Sequence, residues 1–118
     1  GQGLSIGHRD HYNVIRNNEI AGSGETGVLF RPERGEGFTP TGNLLEENQI
    51  RDNGPDNGAA VDFQGITAGN TLAHNEVIET RGPASRVGIR IGEECGENTF
   101  TDNRIEGFAT PMEDKRRA

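Results

Sequence analysis

The chain has 118 residues, with 12 basic against 19 acidic side chains and a formal net charge of −7. That balance argues against broad electrostatic binding to nucleic acid or to an anionic membrane surface, and no apolar window approaches the roughly 18 residues of a membrane span. Only 30% of the residues are hydrophobic, 18 are Gly and none is Trp, so a conventional packed core is hard to build and a fold that buries one narrow column of aliphatic side chains is favoured.

In chain order, the first element is a short strand with apolar residues two apart, Leu4 and Ile6. A polar loop follows, Gly7-His8-Arg9-Asp10-His11-Tyr12, and then the unit Asn-x-apolar-x-x-Asn-x-apolar: Asn13, Ile15, Asn18, Ile20. The turn Ala21-Gly22-Ser23-Gly24 closes this stretch. The same succession begins again at Val28 and Phe30, passes through a loop from Arg31 to Gly42, and reaches Asn43, Leu45, Asn48, Ile50. It recurs at Val61 and Phe63 with Asn70, Leu72, Asn75, Val77, and at Ile89 and Ile91 with Asn98, Phe100, Asn103, Ile105. The Asn units lie 30, 27 and 28 residues apart, and all four of their positions shift together.

The apolar period within each segment is two, which is strand periodicity and not helical periodicity. Gly, Pro, Asn and Asp separate the segments at turns such as residues 52–58 and 80–83. Three short strands and three turns make one coil, and about four coils stack with parallel strands about 4.8 Å apart. Three of the first strands end seven residues before the next Asn, while the loop after Phe30 carries six extra residues. An insertion at one fixed point of a repeat maps to one side of a solenoid. The second Asn of each unit is expected at a sharp bend, in a left-handed backbone conformation, with Asn18, Asn48, Asn75 and Asn103 stacked and bonded along the axis. Phe30, Phe63 and Phe100 are expected in the column. His74 is read as a surface position and Cys95 as an ordinary loop thiol.

The four Asn units, each preceded by a segment such as Gly88-Ile89-Arg90-Ile91, resemble the repeats of the right-handed parallel β-helix, or pectate-lyase-like, superfamily over residues 3–108. The resemblance implies an all-β, right-handed parallel β-helix solenoid of about four coils with three short strands per coil. It places residues 1–118 in one β-helix domain, with repeat motifs starting near 13, 43, 70 and 98. In that superfamily the stacked Asn residues resemble an "asparagine ladder". The superfamily holds polysaccharide lyases, hydrolases, epimerases, tailspikes and adhesins, so the fold alone names no activity. It also implies an extracytoplasmic location. Members usually have more coils and an end cap, and residues 1–12 show no capping helix. With no initiator Met and no signal peptide at residues 1–4, the chain is expected to be a piece of a longer β-helix or to pair with its own copies through open coil ends. The charged residues 113–117 either blunt the C-terminal end or form a solvated terminus.

The resemblance places a substrate groove on the outer face of the first strand of each coil. Alternation puts Ser5, Leu29, Asp62 and Arg90 on that face, with Asp62 and Arg90 as neighbours on consecutive coils. The pair forms either a surface salt bridge or a carboxylate and guanidinium facing a sugar acid. Arg31, Asp62 and Arg90 are the candidate substrate-binding residues, since a guanidinium fork suits a sugar carboxylate. His8, Asp10 and Glu33 are the candidate catalytic residues, with a carboxyl as acid or base and His8 as partner. His8, Asp10 and His11 have no recognised ligand spacing, so no metal and no cofactor is assigned. The functional expectation is a module that binds or processes a polysaccharide, acidic in type. The alternative is a non-catalytic structural or adhesive repeat that forms homo-oligomers.

Overall fold

The structure is a computed structural model, which describes residues 3–6, 12–31, 41–65 and 67–116. The first coil is β1 (Leu4–Ile6), β2 (Val14–Arg16) and β3 (Glu19–Ala21), and the second is β4 (Val28–Phe30), β5 (Leu44–Glu46) and β6 (Gln49–Arg51). The third is β7 (Ala59–Phe63), β8 (Thr71–Ala73) and β9 (Glu76–Ile78), the fourth β10 (Val87–Ile91), β11 (Thr99–Thr101) and β12 (Arg104–Glu106), and β13 (Thr110–Asp114) opens a further rung. Three parallel sheets run the length of the solenoid, in the orders β1-β4-β7-β10-β13, β2-β5-β8-β11 and β3-β6-β9-β12. The architecture is the expected one, all-β with three short strands per coil, and the described residues contain no helix.

The repeat seen in the sequence is the register of the sheets. Leu4 pairs with Val28, Val28 with Val61, and Val61 with Ile89. The apolar position of each Asn unit stacks likewise, Ile15 on Leu45 on Leu72 on Phe100, and Ile20 on Ile50 on Val77 on Ile105. Alternation sends one side of each strand inward, and the inward residues of the middle coils, Val28, Phe30, Leu45, Ile50, Val61, Phe63, Leu72, Val77 and Ile89, are fully buried. Phe30 and Phe63 stack with centroids 4.2 Å apart, and Phe100 meets Phe63 edge-on at 5.6 Å. Both are favourable ring arrangements.

Both Asn positions of the unit, not the second alone, form continuous amide columns. The backbone N–H and the side-chain Nδ2 of each Asn donate to Oδ1 of its counterpart one coil on. Asn18 donates to Asn48, Asn48 to Asn75 and Asn75 to Asn103, at 2.9–3.3 Å. Asn13, Asn43, Asn70 and Asn98 form the second column at 3.0–3.2 Å. The expected left-handed backbone falls one residue earlier than anticipated, on Asn17, Glu47, His74 and Asp102, with φ of 53–57°. These side chains point to solvent, so the bend needs only backbone tolerance there. The Asn that follows is turned inward, where its amide also reaches the carbonyl of the preceding coil, as Asn48 Nδ2 does to Ile15 at 2.9 Å.

Near the C-terminus, Thr110–Asp114 forms a largely exposed strand. β13 pairs with β10, setting Met112 opposite Ile89 and Glu113 opposite Arg90. Asp114 covers the end of the Ile91 position and is held by Arg116, whose Nη1 also donates to the Gly96 carbonyl at 3.1 Å.

Candidate functional site

The outer face of the first sheet carries Asp62 on β7, Arg90 on β10 and Glu113 on β13 as consecutive neighbours. The expected pair between Asp62 and Arg90 is replaced by two others. Arg90 Nε donates to Glu113 Oε1 at 3.0 Å, and Gln64 Nε2 donates to Asp62 Oδ2 at 3.1 Å. The correction has a topological cause: β13 supplies Arg90 with a carboxylate on its other side, and Gln64, two residues beyond Asp62, holds that carboxyl back along its own strand. Lys115 lies 3.7 Å from the same Glu113 oxygen.

These side chains border a cleft of about 260 Å³, lined by Asp62, Gln64, Arg90, Glu93, Glu94 and Lys115 together with Phe63, Gly65 and Gly92. The volume is smaller than that of most small-molecule pockets, and the side chains that line it are mixed in charge. The cleft sets three carboxylates, two cations and one side-chain amide along an open part of the sheet. It is not an enclosed apolar chamber. Beneath it, the Cys95 thiol donates to the Phe63 carbonyl at 3.4 Å, and burial pushes its pKa up. Cys95 is therefore a buried thiol of the 92–95 loop, turned toward the core.

The structure brings Asp62 and Arg90 together in the cleft. Arg31 is exposed and sits one coil away from it: Arg31 N bonds to the Ile6 carbonyl, as Gln64 N bonds to Phe30 and Gly92 N to Phe63. Arg31, Gln64, Gly92 and Lys115 thus occupy one position in successive coils. His8, Asp10 and Glu33 lie outside the described residues, as do His11 and Phe38. His74 is an exposed surface residue, as expected. Among the described residues, no group of three or more His, Cys, Asp or Glu side chains is close enough to hold a metal ion.

Three contributors were missed in the sequence. Lys115 and Glu113 were hidden because Thr110-Pro111-Met112-Glu113-Asp114 lacks the Gly and the paired apolar residues of the other first strands. Gln64 carried a usable signal, since it follows Phe63 as Arg31 follows Phe30.

A second charged cluster lies on the turn between the third and first sheets. The Glu79 side chain is fully buried and accepts from Arg81 at 2.8 Å through both oxygens, while Arg86 Nε stands 3.5 Å away. Arg86 also reaches Asp56 at 2.8 Å, and Arg81 the Asn53 carbonyl at 3.0 Å. This network is committed to fastening turns of neighbouring coils together.

Fold and cleft together define a short parallel solenoid with an open polar groove on its first sheet. The family described as "right handed beta helix region" matches residues 1–110, and the chain belongs to that family. No curated protein and no solved structure matches it.

Proposed function

We propose that this β-helix domain binds carbohydrate across the outer face of its first sheet, with an extended acidic polysaccharide as the ligand. The observation that carries this reading is the cleft of about 260 Å³ in which Asp62, Gln64, Arg90, Glu93, Glu94 and Lys115 converge. Planar amide, carboxylate and guanidinium groups are suited to paired sugar hydroxyls, and Arg90 and Lys115 supply cations for a sugar carboxylate. The pectate-lyase-like resemblance points the same way, and Arg31, one coil along, extends the cationic row. Whether the bound chain is also cleaved rests on His8, Asp10 and Glu33.

The test is calorimetric titration of the intact chain with polygalacturonate and with neutral dextran. Saturable binding of polygalacturonate, weakened about tenfold or more in Arg90→Ala and in Asp62→Asn, is the expected result. Absence of binding to either polymer overturns the reading. Ultraviolet absorbance of unsaturated products and reducing-end release then separate binding from processing.

A second reading, a structural or adhesive repeat that self-associates, is favoured by one observation. At the first coil Val14 is 58% exposed, and half-buried Leu4 and Ile15 border a recess of about 290 Å³. Light scattering across a concentration range distinguishes it: growth of mass with concentration, and no glycan binding, selects this alternative.

A further inference from the structure

Asn is followed by Gly at two places in the sequence, Asn53-Gly54 and Asn57-Gly58, four residues apart. Such a pair has its own chemistry. The backbone nitrogen of the Gly, with no Cβ beside it to hinder the approach, can attack the side-chain carbonyl carbon of the Asn and close a succinimide ring. The attack needs the Asn amide and the Gly N–H both free to move.

The fold treats the two pairs in opposite ways. Asn53 is 3% exposed. Its Oδ1 accepts from the Ser23 N–H at 2.9 Å, and its Nδ2 donates to the Ile20 carbonyl at 3.0 Å. Gly54 is buried too, and its N–H donates to the Ser23 carbonyl at 2.8 Å. Ring closure at Asn53 therefore requires the first and second coils to part. Asn57 lies in the turn at 55–58, where residues 55–57 are exposed. Its side-chain amide makes no hydrogen bond among the described residues, and its backbone carbonyl accepts from Arg90 Nη2 at 3.5 Å. The Gly58 N–H donates to the Pro55 carbonyl at 3.0 Å. That bond is internal to the turn, so a local opening frees the nitrogen while the coils stay stacked.

We propose that Asn57 is a site of spontaneous covalent modification in the folded protein, converting through a succinimide to aspartate and isoaspartate. The site is independent of the carbohydrate reading. The Gly58 nitrogen bonds to Asn57 Cγ and gives its proton to water, and the Asn57 amide nitrogen leaves as ammonia. Water then adds to one of the two ring carbonyls. Opening at the side-chain carbonyl leaves aspartate; opening at the main-chain carbonyl leaves isoaspartate. The net change is one water in and one ammonia out, with no oxidant or other reactant.

The consequence follows from how the turn is anchored. The Asp56 carbonyl accepts from the Ser85 N–H at 2.9 Å, and the Gly58 carbonyl accepts from the Val87 N–H at 3.0 Å. Residues on both sides of Asn57 are thus fixed to the next coil. Isoaspartate adds a backbone carbon between these two anchors and disturbs the start of the β7–β10 pairing. Aspartate leaves the backbone unchanged and adds only a charge.

The intact chain is incubated at mildly alkaline pH, folded and in urea, and followed by intact mass and peptide mapping. Isoaspartate is scored by enzymatic carboxyl methylation. In the folded chain Asn57 should convert at least about tenfold faster than Asn53, and urea should bring the two rates within about threefold of each other. Asn57→Gln should abolish the conversion in the folded chain, because the longer side chain closes its ring far more slowly. The isoaspartate form, separated by ion exchange, should melt below the unmodified protein, whereas Asn57→Asp should melt close to it. An Asn57 that stays intact in the folded chain while the unfolded chain converts overturns the proposal, since the turn then holds the Gly58 N–H too firmly for attack. Equal conversion of Asn53 and Asn57 in the folded chain overturns it as well, because the fold would then not select between the two pairs.

Discussion

Arg90 is bound to Glu113, the residue directly beyond it on β13, and not to Asp62, the residue directly before it on β7. The guanidinium is thereby held at the lip of the cleft by a partner that is itself 37% exposed. An exposed pair of this kind contributes little to folding, about 0–1 kcal/mol, so it can be exchanged for a ligand carboxylate at small cost.

Glu113→Gln should therefore leave stability within about 1 kcal/mol of the wild type and strengthen binding of polygalacturonate several-fold, because Arg90 and Lys115 are freed from a competing anion. Calorimetry and urea denaturation measure the two effects. Unchanged or weaker binding would place Arg90 outside the ligand's reach.

The amide columns predict a different response. Asn48 and Asn75 are each 1% exposed and link three coils apiece. Asn48→Ala or Asn75→Ala leaves buried donors and carbonyls unpaired and should lower stability by about 1–3 kcal/mol each, whereas the exposed Asn57 should tolerate Ala within about 0.5 kcal/mol. Equal effects at buried and exposed positions would rule out a load shared through the columns.

Glu79 tests the buried network. Removing its charge with Glu79→Gln leaves Arg81 and the largely buried Arg86 without their shared carboxylate, at a cost of about 3 kcal/mol or more. Arg16→Ala, which breaks the exposed pair with Glu46, should cost no more than about 1 kcal/mol. Urea midpoints at constant m-value make the comparison.

Acid stability should trace to Asp114. The side chain of Arg116, donating to its carboxyl, holds the pKa at about 2, below the ordinary 3.8. A depressed carboxyl favours the folded state when ionised, so its contribution is complete above the ordinary value and is lost as the pH falls from there towards 2. Asp52, lowered by the backbone N–H of Thr80, acts in the same direction. Melting temperature should fall across this window in the wild type and fall less steeply in Asp114→Asn. Superimposable curves for the two proteins would falsify the assignment.

The repeat made the coil, the three sheets, the inward column and the pairing of Val28 with Val61 and Ile89 legible before any coordinates, because a parallel solenoid places each residue above its counterpart one repeat earlier. Spacing alone therefore carries the register, and period two carries the direction of each side chain. The cleft was legible only in part. Asp62 and Arg90 follow from alternation, but the partner of Arg90 depends on which residue a neighbouring strand brings within hydrogen-bond reach, here Glu113 at 3.0 Å. That was decided by β13, whose sequence departs from the repeat and whose pairing becomes visible only once backbone hydrogen bonds are placed. Local conformation was likewise out of reach. The repeat marks where each bend falls, yet the left-handed residue is His74 and not Asn75, and Tyr12 takes a place that Gly42 and Gly69 fill elsewhere. Which residue bears the bend depends on which side chain the packed interior demands, and that demand exists only in the folded stack.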